Sequence, residues 1–183
     1  PVARNSAPAI AAAAILAEET NPGAILWIMP ADSAISDVPG LHAALARAAA
    51  AAAQGRIVTF GMQPTAPETG YGYIESGPAL DGLDGVQAIA RFVEKPDLAT
   101  AKDFLAGGRH LWNSGTFVAR ADTLLAELSN FAPEVVATVR GAMAGAQRDL
   151  DFIRLDPAPF AATPNISIDY AVMERTQNGA VVP

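Results

Sequence analysis

A short apolar run that ends at a carboxylate constrains the fold of this chain more than any other stretch. Ile25–Met29 is uninterrupted apolar sequence, preceded by the turn-forming residues Asn21–Gly23 and stopped by Pro30. Such a run predicts a parallel strand that helices cover on both faces. In sheets of that kind ligands bind beyond the carboxyl ends of the strands, which is where Asp32 would lie. A carboxylate there can bind a hard cation such as Mg²⁺, although with Ser33 it can equally cap a turn or helix.

The composition excludes several classes of protein. The 183 residues are 51% hydrophobic and 17% charged, which is enough for one well-filled domain and too few for two. No apolar run approaches a membrane span and no secretory leader opens the chain, so we expect a cytoplasmic protein without a membrane partner. With no cysteine and two histidines, any metal should be bound by oxygen atoms. A formal net charge of −7 argues against nucleic acid as a partner.

Helical and strand patterns alternate along the chain and predict an α/β fold. Capping residues and apolar periodicity predict helices over residues 6–18, 37–53, 97–106, 122–128 and 133–146, and strands over 57–61, 86–93 and 110–118. The order strand, helix, strand across residues 25–61 predicts a βαβ crossover. Since no linker or repeat divides the chain, we predict a single domain.

Polar side chains interrupt or follow three of these strands. Asp32 follows the first strand, Glu94 and Lys95 end a later one, and Asn113 lies within the strand 110–118. In a doubly wound sheet these residues would open on the same edge. Such a set suits phosphoryl or nucleotidyl transfer, because a divalent cation and a lysine can position phosphates and neutralise their charge. The residues alone therefore indicate a nucleotide or sugar-phosphate site.

Two glycine-containing segments each allow two interpretations. Gly70 and Gly72 bracket Tyr71, which suits either a close approach of the backbone to something bulky or a tight turn with a bulge. The segment Asn113–Gly115 can present amide donors and an acceptor to a polyhydroxy ligand, or it can be only a bulge. Near the end of the chain, Asp169 is either a functional carboxylate or an ordinary first-turn charge of a short helix.

Six stretches of the sequence resemble bacterial mannose-1-phosphate guanylyltransferases, the GDP-mannose pyrophosphorylases. They are Arg-Asn-Ser-Ala-Pro-Ala-Ile (4–10), Met-Pro-Ala-Asp (29–32), Val-Thr-Phe-Gly-Met-Gln-Pro-Thr-Ala-Pro-Glu-Thr-Gly-Tyr-Gly-Tyr-Ile (58–74), Phe-Val-Glu-Lys-Pro-Asp (92–97), Trp-Asn-Ser-Gly (112–115) and Ser-Ile-Asp-Tyr-Ala-Val-Met-Glu (167–174). The Pro-Glu-Thr-Gly-Tyr-Gly-Tyr-Ile and Trp-Asn-Ser-Gly pieces are specific, whereas Glu-Lys-Pro is shared by sugar nucleotidyltransferases at large. The resemblance implies a Rossmann-like nucleotidyltransferase fold with a mixed, mostly parallel sheet flanked by helices.

The resemblance also implies a reaction and a set of site residues. The family forms GDP-mannose and pyrophosphate from GTP and mannose 1-phosphate with Mg²⁺. By this resemblance Asp32 is the metal-binding carboxylate and Lys95 faces the sugar phosphate, which makes these two the catalytic candidates. The nucleotide-binding candidates are Arg4, Asn5, Ser6 and Asp32. The candidates for binding the sugar phosphate are Gly72, Glu94, Lys95, Asn113 and Asp169.

The chain departs from the family pattern in three places. The family usually has Ala-Asp-His where this chain has Ala-Asp-Ser at 31–33. The glycine-rich nucleotide signature belongs before residue 1, and a second metal-binding aspartate belongs beyond residue 183. We therefore expect a nucleotidyltransferase domain that is truncated at both ends and inactive alone. A non-catalytic sugar-nucleotide-binding or regulatory homologue, a pyrophosphorylase for another hexose 1-phosphate and a homo-oligomer stay open.

Overall fold

The computed structural model describes residues 2–183, whose contacts group into two compact units. One unit comprises residues 2–24 and 121–175, and the other comprises residues 25–120 and 176–183. The prediction of a single domain stays a prediction. None of the helices in residues 2–183 combines the length and apolar character needed to cross a bilayer.

The order of elements confirms the predicted α/β class. The helices are α1 (Ser6–Thr20), α2 (Val38–Ala53), α3 (Leu98–Gly107), α4 (Ala121–Phe131), α5 (Pro133–Ala144) and α6 (Pro157–Ala161), with a π-helical turn at Asp169–Met173. The strands are β1 (Ile25–Ile28), β2 (Ile57–Met62), β3 (Gly72–Ala79), β4 (Gln87–Glu94), β5 (His110–Arg120), β6 (Gln147–Asp149), β7 (Phe152–Arg154) and β8 (Gly179–Val182).

The first unit is helical and is built around α1. Asn5 caps this helix, because its side chain accepts a hydrogen bond from the backbone N–H of Ser6 at 2.8 Å. Fully buried alanines, among them Ala11 and Ala14, lie on α1, which contacts α4 and α5. The small hairpin β6–β7 and α6 also belong to this unit, and both were missed in the sequence because their segments of three to five residues are too short to show a period.

The second unit contains a six-stranded sheet in the order β1-β5-β2-β8-β4-β3, with a further pairing between β3 and β5. The predicted mixed sheet flanked by helices is present, but it is not mostly parallel: among residues 2–183, β2–β8 is the parallel pair and the other pairs are antiparallel. The physical reason is that the eleven-residue β5 runs back between β1 and β2 and separates two strands that run in the same direction.

The expectation of a buried parallel strand at residues 25–29 was wrong. β1 has four residues, pairs antiparallel with β5 and ends the order of strands in the described sheet. Its residues alternate between exposed and half-buried rather than being covered on both faces. A continuous apolar run does not by itself distinguish these cases, because the strand's neighbour comes from residues some ninety positions later in the chain.

Helix α2 packs on the sheet of the second unit and connects β1 to β2 along the chain, in the order predicted for the crossover. Its cap is Asp37, whose side chain accepts a hydrogen bond from the backbone N–H of Gly40 at 2.9 Å. Three alanines of α2, at 48, 51 and 52, are fully buried in a core with Val58 and Val118. The alanine run therefore serves close packing of a helix against strands, as its high helix propensity suggests.

Candidate functional site

Gly72, Glu94 and Asn113 lie against one another in the second unit. Gly72 pairs with Glu94 between β3 and β4, and the next residue of β3 pairs with Trp112 of β5. A Cβ atom built on Gly72 would lie 2.6 Å from Oε2 of Glu94 and 3.3 Å from Cβ of Asn113. A carboxylate and a carboxamide therefore border a stretch of backbone that carries no side chain.

The strand pairing that brings Gly72, Glu94 and Asn113 together differs from the predicted one. We expected the carboxyl ends of parallel strands to open on one edge, but β4 runs antiparallel to β8. The three residues meet instead because β3 pairs with both β4 and β5. The resemblance grouped these three residues as sugar contacts, which stays a prediction, while the topology expected for the strand ends was wrong.

Glu94 and Lys95 form an ion pair at the end of β4. The Nζ atom of Lys95 lies 3.0 Å from Oε1 of Glu94; the lysine side chain is 53% exposed and the glutamate side chain 7% exposed. Lys95 has a backbone φ of +48°, which L-residues other than glycine rarely adopt, and its backbone N–H donates to the carbonyl of Tyr71 at 3.2 Å. This turn brings a solvent-accessible ammonium beside a buried carboxylate.

Asn113 begins a bulge in β5. Between β2 and β5 the register shifts from Thr59↔Phe117 to Gly61↔Asn113, so β5 contains extra residues there, and Gly115 has a φ of +73°. The segment therefore forms a bulge, and its contact with a polyhydroxy ligand stays a prediction. The same bulge orients the side chain of Asn113, whose Oδ1 accepts hydrogen bonds from the Gly115 N–H at 3.2 Å and from the Thr59 hydroxyl at 2.7 Å.

Asp32 is exposed in the turn that follows β1. The loop that carries it passes the Asn113 bulge, because the side chain of Pro30 lies 3.5 Å from a Cβ atom built on Gly115. Asp32 does not cap the following helix, since Asp37 does. Residues 2–183 contain no group of three or more His, Cys, Asp or Glu side chains placed to hold a metal ion. Asp32 is an exposed carboxylate, and its role as a ligand of Mg²⁺ stays a prediction.

The other candidate residues belong to the helical unit. The guanidinium of Arg4 donates to the carbonyl of Ala161, in part through Nε at 3.1 Å, and the Ser6 hydroxyl accepts from the Ile168 N–H at 2.9 Å. Both side chains therefore tie the start of α1 to later segments of the same unit. Asn5 is exposed, with φ 62° and ψ −170°, and Asp169 begins the π-helical turn. Their roles in binding stay predictions.

Aromatic residues flank the strand ends in the second unit. Trp112 meets Tyr71 edge to face, with ring centroids 5.2 Å apart. Strand alternation places Trp112 and His110 on the opposite face of β5 from Asn113. His110 is buried and stacks on Phe104 at 3.9 Å between ring centroids.

The electrostatic surroundings of His110 favour its neutral form. Burial lowers the pKa of His110, Glu75 opposes this shift, and Arg109 and Arg91 reinforce it. A neutral imidazole stacked on a phenyl ring is part of the core and has no place in the candidate site.

One residue of this site was missed in the sequence. Thr59 is fully buried in β2 and contacts the Asn113 side chain. The only local signal was a hydroxyl within a run of buried strand residues, which indicates a polar partner elsewhere in the chain but not which one.

Comparison with known proteins gives consistent matches. A family model described as nucleotidyl transferase matches residues 1–157. The xanthan biosynthesis protein XanB of Xanthomonas campestris is 51% identical over 100% of this chain, which covers 38% of that protein. A mannose-1-phosphate guanylyltransferase of Sinorhizobium fredii is 49% identical over 100% of the chain, which covers 35% of its length.

A solved structure matches the fold along nearly the whole chain. The crystal structure of mannose-6-phosphate isomerase from Helicobacter pylori aligns with a TM-score of 0.88 and 31% identity, over 99% of this chain and 68% of that one. The resemblance and the nucleotidyltransferase fold expected from the sequence motifs are confirmed by these matches.

Proposed function

Since this chain belongs to the nucleotidyl transferase family, we propose that it forms part of an enzyme that makes GDP-mannose and pyrophosphate from GTP and mannose 1-phosphate. The observation that carries the proposal is the contact of Gly72, Glu94 and Asn113. The mannose-1-phosphate guanylyltransferase of Sinorhizobium fredii supports the choice of base and sugar, since it matches the whole of this chain.

The three residues have the chemistry of a hexose subsite. A sugar hydroxyl both donates and accepts hydrogen bonds, a carboxylate accepts them, and a carboxamide does both. Glu94 can therefore accept from one hydroxyl while Asn113 donates to another. Because Gly72 has no side chain, a sugar ring can approach the backbone between the two groups. The low exposure of Glu94 makes hydrogen bonds to its carboxylate stronger than they would be in water.

Lys95 is proposed to bind the phosphate of the same sugar. Its ammonium lies next to Glu94, its side chain is more than half exposed, and a compact ammonium neutralises a phosphate without demanding a planar partner. In the reaction an oxygen of the sugar phosphate forms a bond to the α-phosphorus of GTP, and the bond from that phosphorus to the bridging oxygen of the β-phosphate breaks, releasing pyrophosphate. The protein contributes positioning and neutralisation of charge.

Asp32 would hold Mg²⁺ together with oxygen atoms of the substrates and water. When bound, the ion neutralises phosphate charge. Arg4, Asn5 and Ser6 are proposed as contacts to the guanine and ribose, and Asp169 as a contact on the sugar side. In the structure Arg4 and Ser6 bond to backbone groups of their own unit, which fixes the position of the first turn of α1.

A substrate panel tests the proposed function. This chain covers 35 to 39% of its curated relatives, so the full-length protein that contains it is assayed for pyrophosphate release with four NTPs against several hexose 1-phosphates. We expect the highest kcat/KM with GTP and mannose 1-phosphate. A clear preference for another pair, or no release with any pair, would contradict the proposal. The 183-residue chain assayed in parallel tests the expectation that these residues are inactive alone.

A further inference from the structure

We propose that Thr59 is a positioning residue of the sugar subsite, which fixes the carboxamide of Asn113 in the orientation that binds a hexose hydroxyl. The inference rests on the proposed function. Thr59 is 0% exposed, and its Oγ1 lies 2.7 Å from Oδ1 of Asn113 and 2.8 Å from the carbonyl oxygen of Thr116. The hydroxyl therefore contacts both ends of the β5 bulge.

The bulge explains why a hydroxyl is needed at this place. The shift of register between β2 and β5 interrupts the regular backbone ladder at residues 113–116. Two oxygen acceptors, the side-chain oxygen of Asn113 and the carbonyl oxygen of Thr116, then face the one hydroxyl proton of Thr59. A buried acceptor that loses its donor is destabilising, so a side chain of the same shape without a hydroxyl changes the bulge.

The hydrogen bonds around Asn113 select one of its two carboxamide orientations. Its Oδ1 receives the Gly115 N–H as well as the Thr59 hydroxyl. The reversed orientation would place the NH2 group against the Gly115 N–H, and two donors do not bond. The observed orientation directs Oδ1 toward Thr59 and leaves Nδ2 on the other side of the carboxamide. Without the Thr59 hydroxyl, the hydrogen bond from the Gly115 N–H at 3.2 Å holds the carboxamide less firmly in this orientation.

The orientation of the Asn113 carboxamide matters because Gly72 and Glu94 lie beside Asn113. Its Cβ and the Oε2 atom of Glu94 both lie next to the backbone of Gly72. Fixing the Asn113 carboxamide therefore fixes a side chain that borders the same stretch of backbone as the Glu94 carboxylate, and together these two groups can bind hydroxyls of a sugar ring. Thr59 thus acts on sugar binding through Asn113 and has no contact with the nucleotide in this account.

Steady-state kinetics of the full-length protein test the inference. Thr59→Val keeps the shape and removes the hydroxyl, and Thr59→Ser keeps the hydroxyl. We expect Thr59→Val to raise the KM for mannose 1-phosphate by about two- to tenfold, the range of one neutral hydrogen bond, and to leave the KM for GTP within about twofold. Thr59→Ser should restore the sugar KM. Equal changes in both KM values, or no change in either, would overturn the inference.

A buried threonine of the helical unit provides the matched control. Thr163, in the helical unit, is 3% exposed and its hydroxyl donates to the Pro159 carbonyl at 3.4 Å. Thr163→Val should lower the melting temperature without a selective change in the sugar KM. If Thr59→Val does not fold, Thr59→Cys takes its place, since a thiol is a weaker donor than a hydroxyl. An unchanged sugar KM in Thr59→Cys would then overturn the inference.

A spectroscopic readout separates this inference from the proposed function. The side-chain NH2 resonances of Asn113 are assigned by their loss in Asn113→Asp, without any substrate. We expect them to shift in Thr59→Val and to keep their positions in Thr59→Ser. Unshifted resonances in Thr59→Val would overturn the inference whatever the activity. If the wild-type protein neither binds nor uses a hexose 1-phosphate, the proposed function fails and the sugar role of Thr59 fails with it, even where the resonances shift.

Discussion

Replacing Gly72 with alanine tests the sugar subsite with a single methyl group. The new Cβ would lie 2.6 Å from Oε2 of Glu94, 3.0 Å from Cζ of Phe92 and 3.3 Å from Cβ of Asn113. Gly72 does not have a positive φ, so its backbone accepts alanine without strain. The effect of the substitution therefore comes from the contacts that the new methyl group makes in the space between the carboxylate and the carboxamide.

The magnitude follows from these three distances. Ordinary contact between heavy atoms begins at about 3.5 Å, so the Glu94 carboxylate must move away by about 1 Å. Insertion of a methyl group into a packed place costs about 1 to 3 kcal/mol. If this cost is realised on binding, the KM for mannose 1-phosphate rises by about 5- to 150-fold, while the KM for GTP stays within about twofold.

Gly70→Ala is the matched control for this experiment. A Cβ atom on Gly70 meets no atom within 4 Å, and Gly70 also lacks a positive φ. We expect this variant to bind sugar phosphate as the wild type does and to be slightly more stable, because alanine restricts the unfolded chain. The reasoning is refuted if Gly72→Ala and Gly70→Ala show the same sugar KM in full-length protein with unchanged melting temperatures.

Three further perturbations probe charge in the second unit. Lys95→Met should lower kcat/KM for mannose 1-phosphate by about 10- to 150-fold, the range of a charged hydrogen bond, and an unchanged value would exclude Lys95 as a phosphate contact. Asp32→Asn should raise the Mg²⁺ concentration for half-maximal turnover, whereas an identical Mg²⁺ titration would exclude Asp32 as a ligand. Because the pKa of His110 is lowered by burial, the unfolded chain binds its proton first as the pH falls below about 6.5. The free energy of unfolding should therefore decrease as the pH falls below that value. Denaturant titrations at several pH values should show that the free energy of unfolding of His110→Asn depends less on pH than that of the wild type. An equal pH dependence in the two proteins would contradict this.

Local chemistry explains why the helix starts could be predicted. Asn5, Asp37 and Asp97 each precede a helix, and each side chain accepts a hydrogen bond from a backbone N–H of the first turn. The Thr100 N–H holds the pKa of Asp97 below its usual value, as expected for a capping carboxylate. All of this information lies within a few residues of the cap, so the sequence contains it.

Pairing between distant segments explains what could not be predicted. The neighbour of β1 is β5, and nothing within residues 25–32 indicates an antiparallel partner at the end of a sheet. The hydrogen bond between Thr59 and Asn113 joins residues 54 positions apart. Motif resemblance named Gly72, Glu94 and Asn113 as a group, but their contact depends on the double pairing of β3 with β4 and β5.

The most direct test of this account is a crystal structure of the full-length protein with GDP-mannose. We predict that hexose hydroxyls lie within hydrogen-bonding distance of the Glu94 carboxylate and the Asn113 amide, with the ring against the backbone of Gly72. A hexose bound elsewhere, with these three residues still in mutual contact and touching no ligand, would contradict the central claim.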